Sequence, residues 1–101
     1  MTLEIDVLKA IADSTRFEII KLLLQRDFCV KALAKRMGVS ESAISQHLKV
    51  LRGVGLVSAE KRGYFTHYSM NREPLNRLAS QLTKLSEATS DSDLVAECSA
   101  E

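Results

Sequence analysis

The run from Leu33 to Leu51 constrains the fold more than any other stretch of this chain. Leu33 and Met37 share one face of a short helix, with Lys31, Lys35 and Arg36 on the other. Gly38 follows where a helix must end in a left-handed residue, and Ser40 is an N-cap residue just beyond it. Ile44, Leu48 and Leu51 then repeat at helical spacing. A helix stopped by glycine and restarted so soon has to turn back on itself. The pattern predicts a helix-turn-helix.

The flanking segments add further helices and a hairpin. Ile5, Leu8, Ile11 and Ala12 share a face of a helix over 3–12. Asp13 or Ser14 reads as the N-cap of a second helix with Phe17, Ile20, Leu23 and Leu24 inward. Gln25, Arg26 and Asp27 close that helix, and Phe28-Cys29-Val30 is too short to assign. Leu56 to Lys61 and Tyr64 to Met70 predict two strands joined at Arg62-Gly63. Alternation sends Tyr64, Thr66 and Tyr68 to one side and Phe65 and His67 to the other, so most of these aromatics are expected in the core. Asn71 or Glu73 caps a last helix that Pro74 opens at its first position. Its Leu75, Leu78, Leu82 and Leu85 form a narrow apolar seam, expected to be a subunit interface.

The expected class is mainly α with a small β-hairpin and five helices. With 101 residues there is room for one domain, assigned to 1–88, and an acidic tail, assigned to 89–101. No apolar run reaches the length that spans a bilayer and no N-terminal leader is visible, which predicts a cytoplasmic protein without a membrane partner. Two cysteines make no disulfide framework, in keeping with a reducing compartment.

Charge divides the chain. Residues 31–72 hold eight Lys or Arg and two acids, and Glu87 to Glu101 five acids and no base, behind a net charge of only +1. Within the basic part, Ser42, Ser45, Gln46 and Lys49 follow the i, i+3, i+4, i+7 rule and share one helical face. A plain solvated face favours Glu and Lys, whereas serines lose helix propensity. Short groups that donate and accept suit base edges in a major groove. Gln46 can pair bidentately with adenine, while Lys49 and Arg52 reach phosphate. His47, one position off the stripe, is either a packed histidine or a DNA contact. Lys61, Arg62 and Tyr64 at the hairpin tip are candidate backbone or minor-groove contacts. The rival from another class is a protein-interaction module whose basic face meets an acidic partner. An enzyme is not expected, because there is no Ser-His-acid set and no phosphate-cradling glycine loop.

The segments "LKAIADSTRFEIIKLL", "FCVKALAKRMGVSESAISQHLKVLRGVGLV" and "KRGYFTHYSM" resemble the successive signatures of ArsR-type (ArsR/SmtB) winged-helix repressors. The resemblance covers residues 7–70. It implies a winged helix-turn-helix homodimer built on the first and last helices, with Leu8, Leu75, Leu78, Leu82 and Leu85 at the interface. It also implies a near-palindromic operator in double-stranded DNA, read by Ser42, Ser45, Gln46 and Lys49, with Lys61 to Tyr64 in the wing, and released when an inducer binds. The chain departs from the family at the sensor. Where metalloid-responsive relatives carry Cys-Val-Cys, it has Cys29-Val30-Lys31, and residues 74–101 contain no histidine for a last-helix zinc or nickel site.

Sensing therefore falls to Cys29 and Cys98. Cys29 lies near a helix N-terminus beside Arg26 and Lys31, which favours a thiolate. Cys98 has acidic neighbours, which hold its proton more tightly. Arsenite or a soft metal ion prefers two or three thiolates, so the pair could hold one within or between subunits, with no other cofactor required. A thiol-redox or sulfide-responsive switch needs the same pair, and a repressor with no inducer leaves Cys29 as a small hydrophobe. All three readings stay open on the residues alone.

Overall fold

Asp13 splits the N-terminal helical stretch in two. It is extended (φ −144°, ψ 131°) and its carboxylate accepts the Arg16 N–H, so the chain ends α1 (Ile5–Ile11) and starts α2 (Ser14–Leu23). The computed structural model describes residues 4–89. After α2 come β1 (Phe28–Cys29), α3 (Val30–Met37), α4 (Glu41–Gly53), β2 (Val57–Arg62), β3 (Phe65–Met70) and α5 (Arg72–Ser86). The five helices are as expected. The hairpin is part of a three-stranded antiparallel sheet ordered β1-β3-β2, because the unassigned Phe28–Cys29 pairs with β3.

The turn between α3 and α4 is built from local chemistry. Gly38 takes φ 69°, and its N–H and that of Val39 both bond the Ala34 carbonyl, at 2.9 and 3.2 Å. An L side chain disfavours that backbone conformation, so glycine belongs there. Ser40 Oγ accepts the Ala43 N–H at 3.1 Å, satisfying a donor that has no partner within the helix. Beyond it Ile44, Leu48 and Leu51 enter the core with Ile19, Leu33 and Leu56. Burying each of these side chains stabilises the fold by roughly 1.5–3 kcal/mol. They fix which side of α4 faces out.

In α1, α2 and the hairpin four expectations need correcting. In α1 the buried residues are Val7 and Ala10, while Ile5 is exposed and Leu8 and Ile11 are partly buried. A seven-residue helix that is apolar on two sides gives no periodicity to tell inside from outside. In α2 the inward residues are Ile19, Ile20, Leu22 and Leu23, and Phe17 is 48% exposed. At 3.6 residues per turn Phe17 lies about 140° from the centre of that stripe. The hairpin loop is Gly63-Tyr64, one residue later than expected, since Arg62 pairs with Phe65. Gly63 alone carries positive φ there, at 64°, the pattern of a type II′ turn. Tyr68 packs on the core, whereas Phe65 is exposed and Tyr64 is 98% exposed, because that end of the sheet projects past the helices.

Pro74 occupies the third position of α5, not the first. No donor is lost, since the first-turn N–H groups lack intrahelical acceptors in any case. Asn71 precedes α5 without capping it through its side chain. Its amide instead donates to the Gly55 carbonyl at 3.0 Å and accepts from Ser58 Oγ at 3.0 Å, tying α5 to the sheet. Helix α5 is joined to the chain start by Gln81, which accepts the Glu4 N–H at 2.8 Å, and by the Arg77–Glu4 pair at 2.7 Å. Among the described residues no polar or charged side chain is buried in the core, and no helix is long and apolar enough to cross a membrane. Cys98 and all but the first residue of the tail assigned to 89–101 lie outside the described residues.

Candidate nucleic-acid interface

Helix α4 presents Ser42, Ser45, Gln46, Lys49 and Arg52 to solvent while Ile44, Leu48 and Leu51 seal its other side. Glu41 in the first turn and Arg52 in the last complement the helix dipole, which accounts for Glu41 without further function. An open groove of about 530 Å³ runs from Ser45, Lys49, Arg52 and Gly53 to Tyr68 of β3, so the helix face continues onto the sheet. The structure thus brings the five α4 candidates onto one accessible surface.

His47 departs from them. Its side chain is 25% exposed, and Nδ1 lies 3.4 Å from Arg16 Nη1 and 4.0 Å from Asp13 Oδ2. Nδ1 is therefore turned toward the chain itself. Asp13 titrates below the ordinary aspartate range. The main cause is the Arg16 N–H bonded to its carboxylate, with the charge of Arg16, and that of His47 once protonated at low pH, adding to it against a desolvation that opposes them.

Arg62 also differs from its expected role as a free cation at the tip. It bonds Glu60 at 2.9 Å and Asp27 at 2.8 Å, and both carboxylates raise its already high pKa, the hydrogen bond to Glu60 contributing most. Glu60 lies two residues back on the same side of β2, and Asp27 immediately precedes β1. Arg62 thus fastens the hairpin to the sheet edge, leaving Lys61 and Tyr64 as the exposed candidates at the tip.

Cys29 is partly buried at the N-cap position of α3 and makes no cap hydrogen bond through its thiol. It pairs in register with His67, whose Nδ1 is buried without a partner. Among the described residues no three His, Cys, Asp or Glu side chains cluster to hold a metal ion. The apolar seam of α5 also divides. Leu78 is 3% exposed within its own core and Leu75 is partly buried, but Leu82 and Leu85 are 40% and 65% exposed. Leu78 therefore spends its surface inside one chain, and the open part of the seam is Leu82 and Leu85, with Ile5 exposed on α1.

The profile of the bacterial regulatory proteins of the arsR family matches residues 13–59, from the cap of α2 to β2. The arsenical resistance operon repressor of Bacillus subtilis is 39% identical over 74 residues, covering 72% of this chain and 70% of that protein. The chain belongs to the ArsR family. A crystal structure described as "Possible transcriptional regulator for arsenical resistance" superposes with a TM-score of 0.73 at 35% identity, covering 91% of this chain and 95% of the other. The homodimeric winged helix-turn-helix DNA-binding domain from Mycobacterium bovis gives 0.67 at 30% identity, covering 81% and 76%. The ArsR assignment makes this a winged helix-turn-helix transcriptional repressor, a regulator and not an enzyme. In this ArsR-family chain the contact that sequence reasoning missed is that of Arg16 with the end of α1 and with His47. The signals for Arg16 were its place in the first turn after the Asp13 cap and within the family-like run from Ala12 to Arg16.

Proposed function

We propose that this chain is a homodimeric repressor that reads a near-palindromic operator in duplex DNA with α4. Trivalent arsenic or a soft metal bound by Cys29 and Cys98 then releases it. The observation that carries the DNA reading is the outer face of α4, polar and cationic in front and closed by fully buried aliphatics behind. A reading helix needs both properties, since side chains must enter a groove while the backbone stays put. Ser42, Ser45 and Gln46 face base edges, Lys49 and Arg52 grip phosphate, and Lys61 and Tyr64 flank them from the wing. Helices α1 and α5 pair the subunits through Ile5, Leu82 and Leu85, placing two reading helices about 34 Å apart. The protein acts in the cytoplasm. For the inducer, support comes from the arsenical-resistance relative and from the partly buried Cys29 thiol, which makes no cap hydrogen bond at the start of α3.

The test starts from a duplex selected by the wild-type protein out of a random pool. Affinity should fall steeply with salt while a preferred sequence persists. Arsenite should release wild type but not Cys29→Ser, and native mass spectrometry should find the metalloid on the dimer. Weak binding with no preferred sequence would leave a protein-interaction module in its place. Equal release of both proteins would remove Cys29 from sensing.

A thiol-redox switch on the same two cysteines is the second reading. It needs only the two thiols, whereas no three-ligand metal cluster forms among the described residues. In that case a polysulfide donor releases DNA and leaves the thiols bridged, while arsenite has no effect.

A further inference from the structure

We propose that Arg16 is a positioning residue for DNA reading: it ties the end of α1 to His47 of α4 and holds that imidazole with its proton on Nε2. The inference rests on the DNA-reading role assigned to α4. Arg16 Nε donates to the Ala10 carbonyl at 2.6 Å and Nη2 to the Lys9 carbonyl at 3.4 Å, both in the last turn of α1. Its remaining nitrogen, Nη1, approaches His47 Nδ1 at 3.4 Å, the long end of a hydrogen bond. One planar fork thus spans two helices. Helix α2, which carries Arg16, packs against both.

The chemistry of the pair assigns the tautomer. A guanidinium has donors and no acceptor, so Nδ1 must be the nitrogen that accepts, and the single imidazole proton resides on Nε2. Asp13 does not contest this. Its carboxylate is 4.0 Å from Nδ1 and is engaged by the Arg16 N–H at 2.9 Å. His47 is thereby kept as a donor of one fixed sense beside Gln46, instead of a ring free to present either nitrogen.

The consequence for reading lies in where α1 sits. Helix α1 packs against α5, so the α1–α5 pair and the reading helix are joined by polar contact through Arg16. Loosening that fork lets α4 rock about its buried side, and groove contacts are sensitive to displacements of this kind. A lysine cannot substitute. Its ammonium is a point charge that cannot match three divergent acceptors from one rigid plane.

The experiment uses the purified homodimer and the duplex selected by wild type. Operator affinity is measured over a range of salt for wild type, Arg16→Lys, His47→Gln and the double variant, with nitrogen NMR of the imidazole ring and a thermal melt for each. In wild type, His47 Nδ1 should resonate as unprotonated and Nε2 as protonated. Arg16→Lys should lose that preference and bind about tenfold more weakly, the equivalent of one hydrogen bond. The slope of log affinity against log salt should stay as in wild type. The double variant should be no weaker than Arg16→Lys alone, since both changes break one contact.

Full affinity in Arg16→Lys overturns the proposal, and so do additive losses or a protonated Nδ1 in wild type. A salt slope reduced by about 1 overturns it too, because Arg16 would then be sitting on a phosphate. The wild-type spectrum needs no variant, so it decides the contact even if Arg16→Lys folds poorly. A wild type that selects no duplex removes the role of α4 itself, which that spectrum separates from failure of the Arg16–His47 contact.

Discussion

Helix α4 and the β2–β3 hairpin carry the same kinds of side chain, but they offer them differently. On α4 every polar candidate except His47 is exposed, because three buried aliphatics behind it leave the helix one orientation. On the hairpin, Arg62 is taken up by Glu60 and Asp27 while Lys61 and Tyr64 stand free. Charge in a sequence therefore does not measure charge available to a partner. A helix with a sealed back commits its front, whereas a projecting strand can fold its cations onto its own acids.

The largest effect should come from unsealing the helix. Leu48→Ala should lower stability by about 2–5 kcal/mol, read as a fall in the midpoint of chemical or thermal unfolding, because Leu48 is fully enclosed. If Leu48→Ala melts like wild type, α4 is not anchored as described and the contrast with the hairpin goes. Next in size, Gln46→Ala should reduce discrimination between the selected duplex and a scrambled one by about 1–3 kcal/mol. Binding to the scrambled duplex should barely change. Equal loss on both duplexes would make Gln46 a backbone contact.

Smaller effects sharpen the hairpin side. Lys61→Ala should lower the salt slope of binding by about 1, as for one lost phosphate contact, whereas Arg62→Ala should leave the slope unchanged. Arg62→Ala should also change stability by no more than about 1 kcal/mol, since its ion pairs are exposed. A slope that drops in Arg62→Ala shows that Arg62 leaves its carboxylates when DNA arrives.

The smallest effect concerns the brace behind α4. Asp13 titrates below its ordinary value of 3.8, so its contribution to stability is complete above that pH and is lost as the pH falls through the lowered native value. Melting curves of wild type and Asp13→Ala should thus differ at neutral pH and converge in strong acid. A gap that stays constant with pH would show that the carboxylate charge is not what holds the start of α2.

The parts legible in the sequence were those set by neighbours along the chain. Gly38, Ser40 and Asp13 act on backbone groups within four residues, so the turn and the starts of α2 and α4 followed from local chemistry. The polar face of α4 was legible for a related reason, since Ile44, Leu48 and Leu51 announce which side is buried. What escaped depended on distant partners. The Gly63-Tyr64 turn is decided by strand register, and the exposure of Phe17 and Ile5 by which of two apolar faces meets the core. Arg16 drew no reading and Arg62 read as a free cation at the tip, because the acceptors come from Lys9, Ala10 and His47 in one case and from both Glu60 and the distant Asp27 in the other. The ArsR resemblance supplied the winged helix, and it joined the leucine seam of the last helix in pointing to paired subunits.

The short strand β1 makes one spacing inflexible. Phe28 faces Tyr68 and the core while Cys29 faces His67 on the opposite side, and only these two pairs set the alignment. One residue added or removed between Leu24 and Phe28 would present the thiol to the interior and the phenyl ring to water. A coil that looks free to drift in length is thereby a ruler, and an even-numbered change is the smallest that keeps both side chains on their present sides.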